Sequence, residues 1–84
     1  MKQVKYTREA IKMLKRIDAS TSRRIRDKVE QYVNDPASLA NNVIIMKGGD
    51  GFRRMRVGEW RVIFTEDLVI LLVIRVAPRG SAYD

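Results

Sequence analysis

Gly51-Phe52-Arg53-Arg54-Met55-Arg56-Val57-Gly58-Glu59-Trp60-Arg61-Val62-Ile63-Phe64 is the stretch on which the fold turns. Two runs of strand-forming residues flank Gly58-Glu59, and glycine at the first central position suits a two-residue type II′ turn. The stretch therefore reads as a β-hairpin. Successive strand side chains point to opposite faces. Arg54 and Arg56 then share one face while Met55 and Val57 take the other. On the returning strand Arg61 lies opposite the face of Trp60, Val62 and Phe64. If the two polar faces coincide, several guanidinium groups crowd one surface of a small sheet.

Like charges so placed repel by amounts comparable to what a good cross-strand pair contributes. Two readings stand side by side. One is a solvated, arginine-rich outer face. The other is a site for an anion, because the planar guanidinium fork matches pairs of phosphate oxygens.

Upstream of the hairpin, Lys2 to Tyr6 alternates and reads as a short first strand with Val4 and Tyr6 inward. Thr7 is a good helix N-cap, and Arg8 to Ile17 carries Ala10, Ile11, Leu14 and Ile17 at helical spacing. Ser20, Thr21 or Ser22 is expected to cap a second helix with the apolar stripe Ile25, Val29, Tyr32 and Val33. Asp35-Pro36 closes it, since proline disfavours helix in the residue before it. Both stripes read as core packing. Arg23, Arg24 and Arg26 read first as solvated helix surface, with contact to a polyanion as the lesser alternative.

Ala37 to Asn42 reads as a connection, Val43 to Lys47 as the second strand, and Gly48-Gly49-Asp50-Gly51 as a loose turn. That glycine-rich turn lacks the length, the Lys-Ser/Thr pair and the following helix of a P-loop. Glu66-Asp67 turns the chain into Leu68 to Val76, apolar on both faces and so expected to be an inner strand with both faces covered. The helices can cover only one. The other is left to aromatics such as Trp60 or Phe52, or to a partner. The expected class is α+β, in the order βααββββ, with a helical hairpin on one face of a small, mainly antiparallel sheet. Residues 1–84 make a single domain.

With no cysteine and no histidine, the chain has no disulfide, thiolate nucleophile, zinc-finger framework or histidine base. The longest apolar run is too short to span a bilayer, so no membrane role and a cytoplasmic location are expected. Seventeen Lys plus Arg against ten Asp plus Glu give a net charge of +7, which favours polyanionic partners without choosing among them.

The order βααββββ, the phrase Arg54-Met55-Arg56-Val57-Gly58-Glu59-Trp60-Arg61-Val62-Ile63, and Arg79 followed four residues later by Tyr83 resemble the RelE/ParE superfamily of bacterial toxins, on its RelE side. The resemblance spans nearly the whole chain. It implies the toxin of a type II toxin–antitoxin pair: an endoribonuclease needing neither metal nor cofactor, which cuts mRNA on the ribosome and is silenced by a cognate antitoxin protein. By the same resemblance, Arg54, Arg61, Arg79 and Tyr83 are the expected catalytic residues, with Arg56, Arg53 and Lys47 as RNA-binding contacts. The chain departs from the family pattern in places. Pro78 stands where many relatives have histidine, and Phe52 or Arg53 occupies the region of a second lysine.

Such chemistry needs no histidine in principle. The RNA 2′-hydroxyl attacks the adjacent phosphorus and the 5′-oxygen leaves, while clustered arginines neutralise the transition state. Tyr83 would take the 2′-proton, nearby guanidiniums favouring its phenolate. Arg79 would stabilise charge or protonate the leaving oxygen. Two alternatives remain: a non-enzymatic toxin of the ParE kind, which inhibits DNA gyrase, and a basic nucleic-acid-binding module.

Overall fold

A computed structural model of the chain describes residues 2–48 and 51–80. Its elements follow in the order β1 (Gln3–Tyr6), α1 (Arg8–Arg16), α2 (Ala19–Asn34), a 3-10 helix (Pro36–Asn42), β2 (Val43–Ile45), β3 (Arg53–Val57), β4 (Trp60–Glu66) and β5 (Ile70–Pro78). The strands form one sheet, β1-β5-β4-β3-β2. The three pairings among β2 to β5 are antiparallel, and β1 lies parallel to β5. The fold is α+β, as the sequence implied.

Alternation in the hairpin sets the layers. Met55, Val57, Val62 and Phe64 face the helices and join Leu71, Val73 and Val76 of β5 in one buried cluster. Ala10 and Leu14 of α1 and Ile25, Val29 and Tyr32 of α2 complete it. Each such fully buried apolar side chain contributes roughly 1.5–3 kcal/mol relative to exposure. The Tyr32 and Phe64 rings meet edge to face at a centroid distance of 5.3 Å.

Thr7 caps α1 as expected, its hydroxyl oxygen accepting from the Ala10 amide at 3.2 Å. The same hydroxyl donates to the Ile74 carbonyl at 2.6 Å, so the cap also fastens the helix start to β5. The second helix begins earlier than its serines and threonine implied. Asp18 is the cap, accepting from the Thr21 amide at 2.9 Å and from the Ser20 hydroxyl at 2.7 Å. Hydrogen bonds from Ser20 and Thr21 hold its carboxyl down at about 2.

Other boundaries move for identifiable reasons. The connection after α2 is a 3-10 helix that buries Leu39, a core residue hidden in a polar stretch. β2 stops at Ile45, two residues short of Lys47. β5 starts at Ile70 rather than Leu68, because the Asp67 carboxylate accepts from the Val69 and Ile70 amides at 2.8 and 2.7 Å. That turn leaves Leu68 94% and Val69 64% exposed in spite of their hydrophobicity. β5 is an inner strand, but the aromatics do not cover its second face. Trp60 packs on the helical side and Phe52 is exposed.

At the end of the sheet away from the hairpin turn, Glu66 ties four elements together. It accepts from Lys2 and, at 2.6 Å, from the Tyr32 hydroxyl, with the Arg53 guanidinium 3.5 Å away. Burial alone pushes the Glu66 carboxyl up. Hydrogen bonds from Lys2 and Tyr32, with the charges of Lys2 and Arg53, more than offset it and hold the group below its ordinary value. Burial and the bond to Glu66 push the Tyr32 hydroxyl up to about 12.

A carboxylate with a depressed folded pKa adds stability that is present above its unfolded value and lost as pH falls through the folded one. Urea unfolding of Glu66→Gln should therefore show lower stability than wild type at neutral pH, by roughly 1–3 kcal/mol. The gap should narrow on acidification. In alkali, Tyr32 should cost the wild type stability as pH rises from about 10 towards about 12, and Tyr32→Phe should lack that component.

Candidate nucleic-acid interface

Gly58-Glu59 forms the two-residue turn between β3 and β4, closing on the pair Val57–Trp60. Gly58 has φ +60°, and no other residue type among the described residues takes a positive φ, which is the type II′ pattern. The next pair along is Arg56–Arg61. In an antiparallel ladder the pair after the closing one is not hydrogen-bonded, and its Cα atoms approach to about 4.5 Å. Two arginines thus stand directly opposite each other on the face away from the helices. Arg54 lies two residues along on the same face, paired with Ile63 of β4 and Ile44 of β2.

These side chains bound a cleft of about 140 Å³ lined by Asn41, Asn42, Ile44, Arg54, Arg56 and Arg61. The 3-10 helix supplies the two asparagines, and Asn42 donates to the Arg56 carbonyl at 3.3 Å. Three guanidiniums and two amides border the opening, with no carboxylate among the described residues that line it. Ile63, buried on this face, forms an apolar floor between Arg54 and Arg75. The Arg61 guanidinium folds back towards the turn, with Nη1 3.5 Å from the Gly58 carbonyl and 3.3 Å from that of Trp60.

Arg79 sits beyond the end of β5, beside the hairpin turn. Its amide donates to the Glu59 carbonyl at 2.7 Å, and its guanidinium lies 3.8 Å from the Glu59 carboxylate. Both side chains are more than half exposed, so that ion pair contributes little. Lys47 is exposed and lines a separate hollow with Ile44, Ile45, Met46 and Arg54, adjoining the cleft. Arg53 is not part of this surface. It pairs with Phe64 in register, points to the helical side and faces Glu66. Tyr83 lies outside the described residues.

A larger hollow, about 400 Å³, opens between α1 and α2 beside Lys15, Ser22, Arg23, Arg26 and Asp27. The cleft on the sheet is the better anion site in spite of its smaller volume, since three guanidiniums line it, whereas Asp27 lines the larger hollow. Among the described residues, no group of three or more His, Cys, Asp or Glu side chains is placed to hold a metal ion. No helix among them is long and apolar enough to cross a membrane.

The family described as "ParE toxin of type II toxin-antitoxin system, parDE" matches residues 4–83. The chain belongs to that toxin family. Within the wider RelE/ParE superfamily its fold is shared by RelE of an archaeal RelE–RelB complex from Pyrococcus horikoshii OT3, with a TM-score of 0.78 at 23% identity over 96% of this chain and 98% of that one. RelE in the intact Escherichia coli RelBE toxin–antitoxin complex superposes with a TM-score of 0.74 at 14% identity, covering 98% and 100%. YoeB of Staphylococcus aureus gives 0.72 at 16% identity, covering 88% and 92%. None of the curated proteins matches the sequence.

The facing pair Arg56–Arg61 works against folding, and this toxin should reveal it. Arg56→Thr should raise the thermal midpoint at low ionic strength, by the equivalent of roughly 0.2–1 kcal/mol. Salt should shrink the gain, because exposed charges are screened. Phosphate, beyond its ionic strength, should stabilise the wild type more than the variant.

Proposed function

We propose that this toxin is an endoribonuclease that cuts mRNA held on the ribosome by attack of the 2′-hydroxyl on the adjacent phosphate, without a metal. One observation supports the reading: the guanidiniums of Arg54, Arg56 and Arg61 line a single cleft, with two asparagines, on the sheet face away from the helices. A phosphodiester placed there meets planar donors on several sides. Such donors are worth most where negative charge develops, on the non-bridging oxygens of the pentacoordinate transition state.

In this scheme Arg61 and Arg54 grip the scissile phosphate, and Arg56 and Lys47 hold the strand beside it. The 2′-oxygen forms its bond to phosphorus as the 5′-oxygen departs, leaving a 2′,3′-cyclic phosphate. The 2′-proton passes to the Tyr83 phenolate, and the 5′-oxygen is protonated from Arg79 or from water. Arg53 has no part in it, because Glu66 engages it on the far side of the sheet. The ribosome is the natural source of alignment, since the cleft itself is shallow and its arginines cannot act as bases.

An antitoxin protein is the expected partner, as RelB is for the RelE structures. The half-buried Ile70 and Leu72 on the uncovered side of β5, with exposed Leu68 and Val69, offer the apolar surface that such a partner would cover. The ParE family match favours a second reading, in which the toxin blocks DNA gyrase by binding alone. The arginine cleft bears on that choice: gyrase binding does not require guanidiniums converging on one phosphate-sized site.

Purified toxin should cleave mRNA on programmed ribosomes and leave gyrase supercoiling untouched. Arg61→Ala and Tyr83→Phe should each lower single-turnover cleavage by about two orders of magnitude or more with unchanged melting, the scale typical of losing a transition-state donor or a general base. A 2′-deoxy nucleotide at the cut position should abolish the reaction. Intact mRNA together with inhibited supercoiling would replace this reading with the gyrase one.

A further inference from the structure

The hairpin turn gathers more positive charge than the sheet alone supplies. Arg24, in the first half of α2, lays its guanidinium against Gly58. Its Nη2 is 2.7 Å from the point where a Cβ on Gly58 would stand, and Cζ is 3.4 Å away. A Cβ at residue 58 would push that guanidinium aside, a small shift for the tip of a flexible side chain, so it is the φ of +60° that calls for glycine there. The Arg61 guanidinium approaches the same residue from the sheet side, 3.5 Å from its carbonyl oxygen. Two guanidiniums touching one residue stand on the order of 10 Å apart or less. Glu59 is the acid at the turn, and it is engaged by Arg79. No carboxylate among the described residues pairs with Arg24.

An exposed arginine on a helix ordinarily samples many rotamers at no cost, and nothing about the fold requires two like charges at one turn. Against the Gly58 backbone the Arg24 guanidinium stands at the hairpin tip, next to the residue that Arg61 approaches from the sheet. The row that begins with Arg54 on the sheet therefore continues past Arg61 and over the hairpin tip onto α2. Consecutive phosphates of one strand stand several ångströms apart through space, and each carries a negative charge. A separation of up to about 10 Å lets Arg24 and Arg61 meet neighbouring phosphates of one strand.

We propose that Arg24 is an RNA-binding residue of this site, taking a phosphate that neighbours the scissile one held by Arg54 and Arg61. It gives the bound strand a direction, from the sheet cleft across the Gly58 turn towards α2. The inference rests on the nuclease reading above. It adds ground-state grip and leaves the chemical step to the sheet.

The test is cleavage of mRNA on programmed ribosomes, in single-turnover experiments over a range of toxin concentrations, with Lys12→Ala as a control that removes an equal charge from the exposed face of α1. Arg24→Ala should raise the half-saturating concentration about 5- to 20-fold, the scale of one charge-assisted hydrogen bond, with the maximal rate within about threefold of wild type. The slope of log affinity against log salt should fall by about 0.7. Arg24→Lys should recover part of the loss, and Arg24→Glu should deepen it, with melting curves unchanged throughout. Arg24→Ala behaving like Lys12→Ala while the wild type cleaves would overturn the role of Arg24 and leave the nuclease reading standing. A fall in maximal rate alone would also overturn it. Absence of cleavage by the wild type would remove both.

Discussion

Everything on the exposed face follows from the register set by two residues, Gly58 and Glu59. A two-residue turn permits one pairing of the flanking strands, and the period of a strand is two. With that register, Met55, Val57, Val62 and Phe64 fall under the helices and Arg54, Arg56 and Arg61 fall on the other side. A slip of one residue would bury guanidiniums in the core and expose Phe64, at a cost far beyond the stability of a small domain. The apolar face thus enforces the placement of the arginines. Burial holds the site in shape, even though the site itself is a source of repulsion.

Charge is divided between the faces accordingly. On the helical side Arg53 meets Glu66, which also engages Lys2 and Tyr32, so a cation inside the fold is matched. Across the sheet the cleft walls carry three guanidiniums and two amides. Adjacent positions in sequence, Arg53 and Arg54, therefore have opposite fates: one closes a structural network and the other faces the solvent side.

The family and the structural relatives define a fold on which toxins with different names are built, and a fold does not by itself choose a target. What bears on the target is the local arrangement: opposed arginines beside a glycine turn, asparagines from the 3-10 helix on one wall, and Arg24 brought in from α2. Each of these groups binds phosphate well and is a poor base. On the proposed nuclease reading such a surface grips a phosphodiester, and proton transfer falls to groups elsewhere.

Amino-acid order alone determined the hairpin, the two amphipathic helices, the Thr7 cap and the faces on which Arg54, Arg56 and Arg61 lie. All of these depend on local periodicity or on the stereochemistry of single residues. Three matters were settled only in three dimensions. β1 pairs with β5, a parallel contact between the two ends of the chain that no local signal encodes. Asp67 takes the backbone amides that would have begun β5, a contest between side-chain and ladder hydrogen bonds that hydrophobicity does not reveal. Finally, Arg24 lies on the Gly58 turn, whereas its helix alone marks it as a solvated cation or a polyanion contact without saying where it sits. Its position depends on how α2 crosses the sheet, and packing across more than thirty residues of intervening chain decides that.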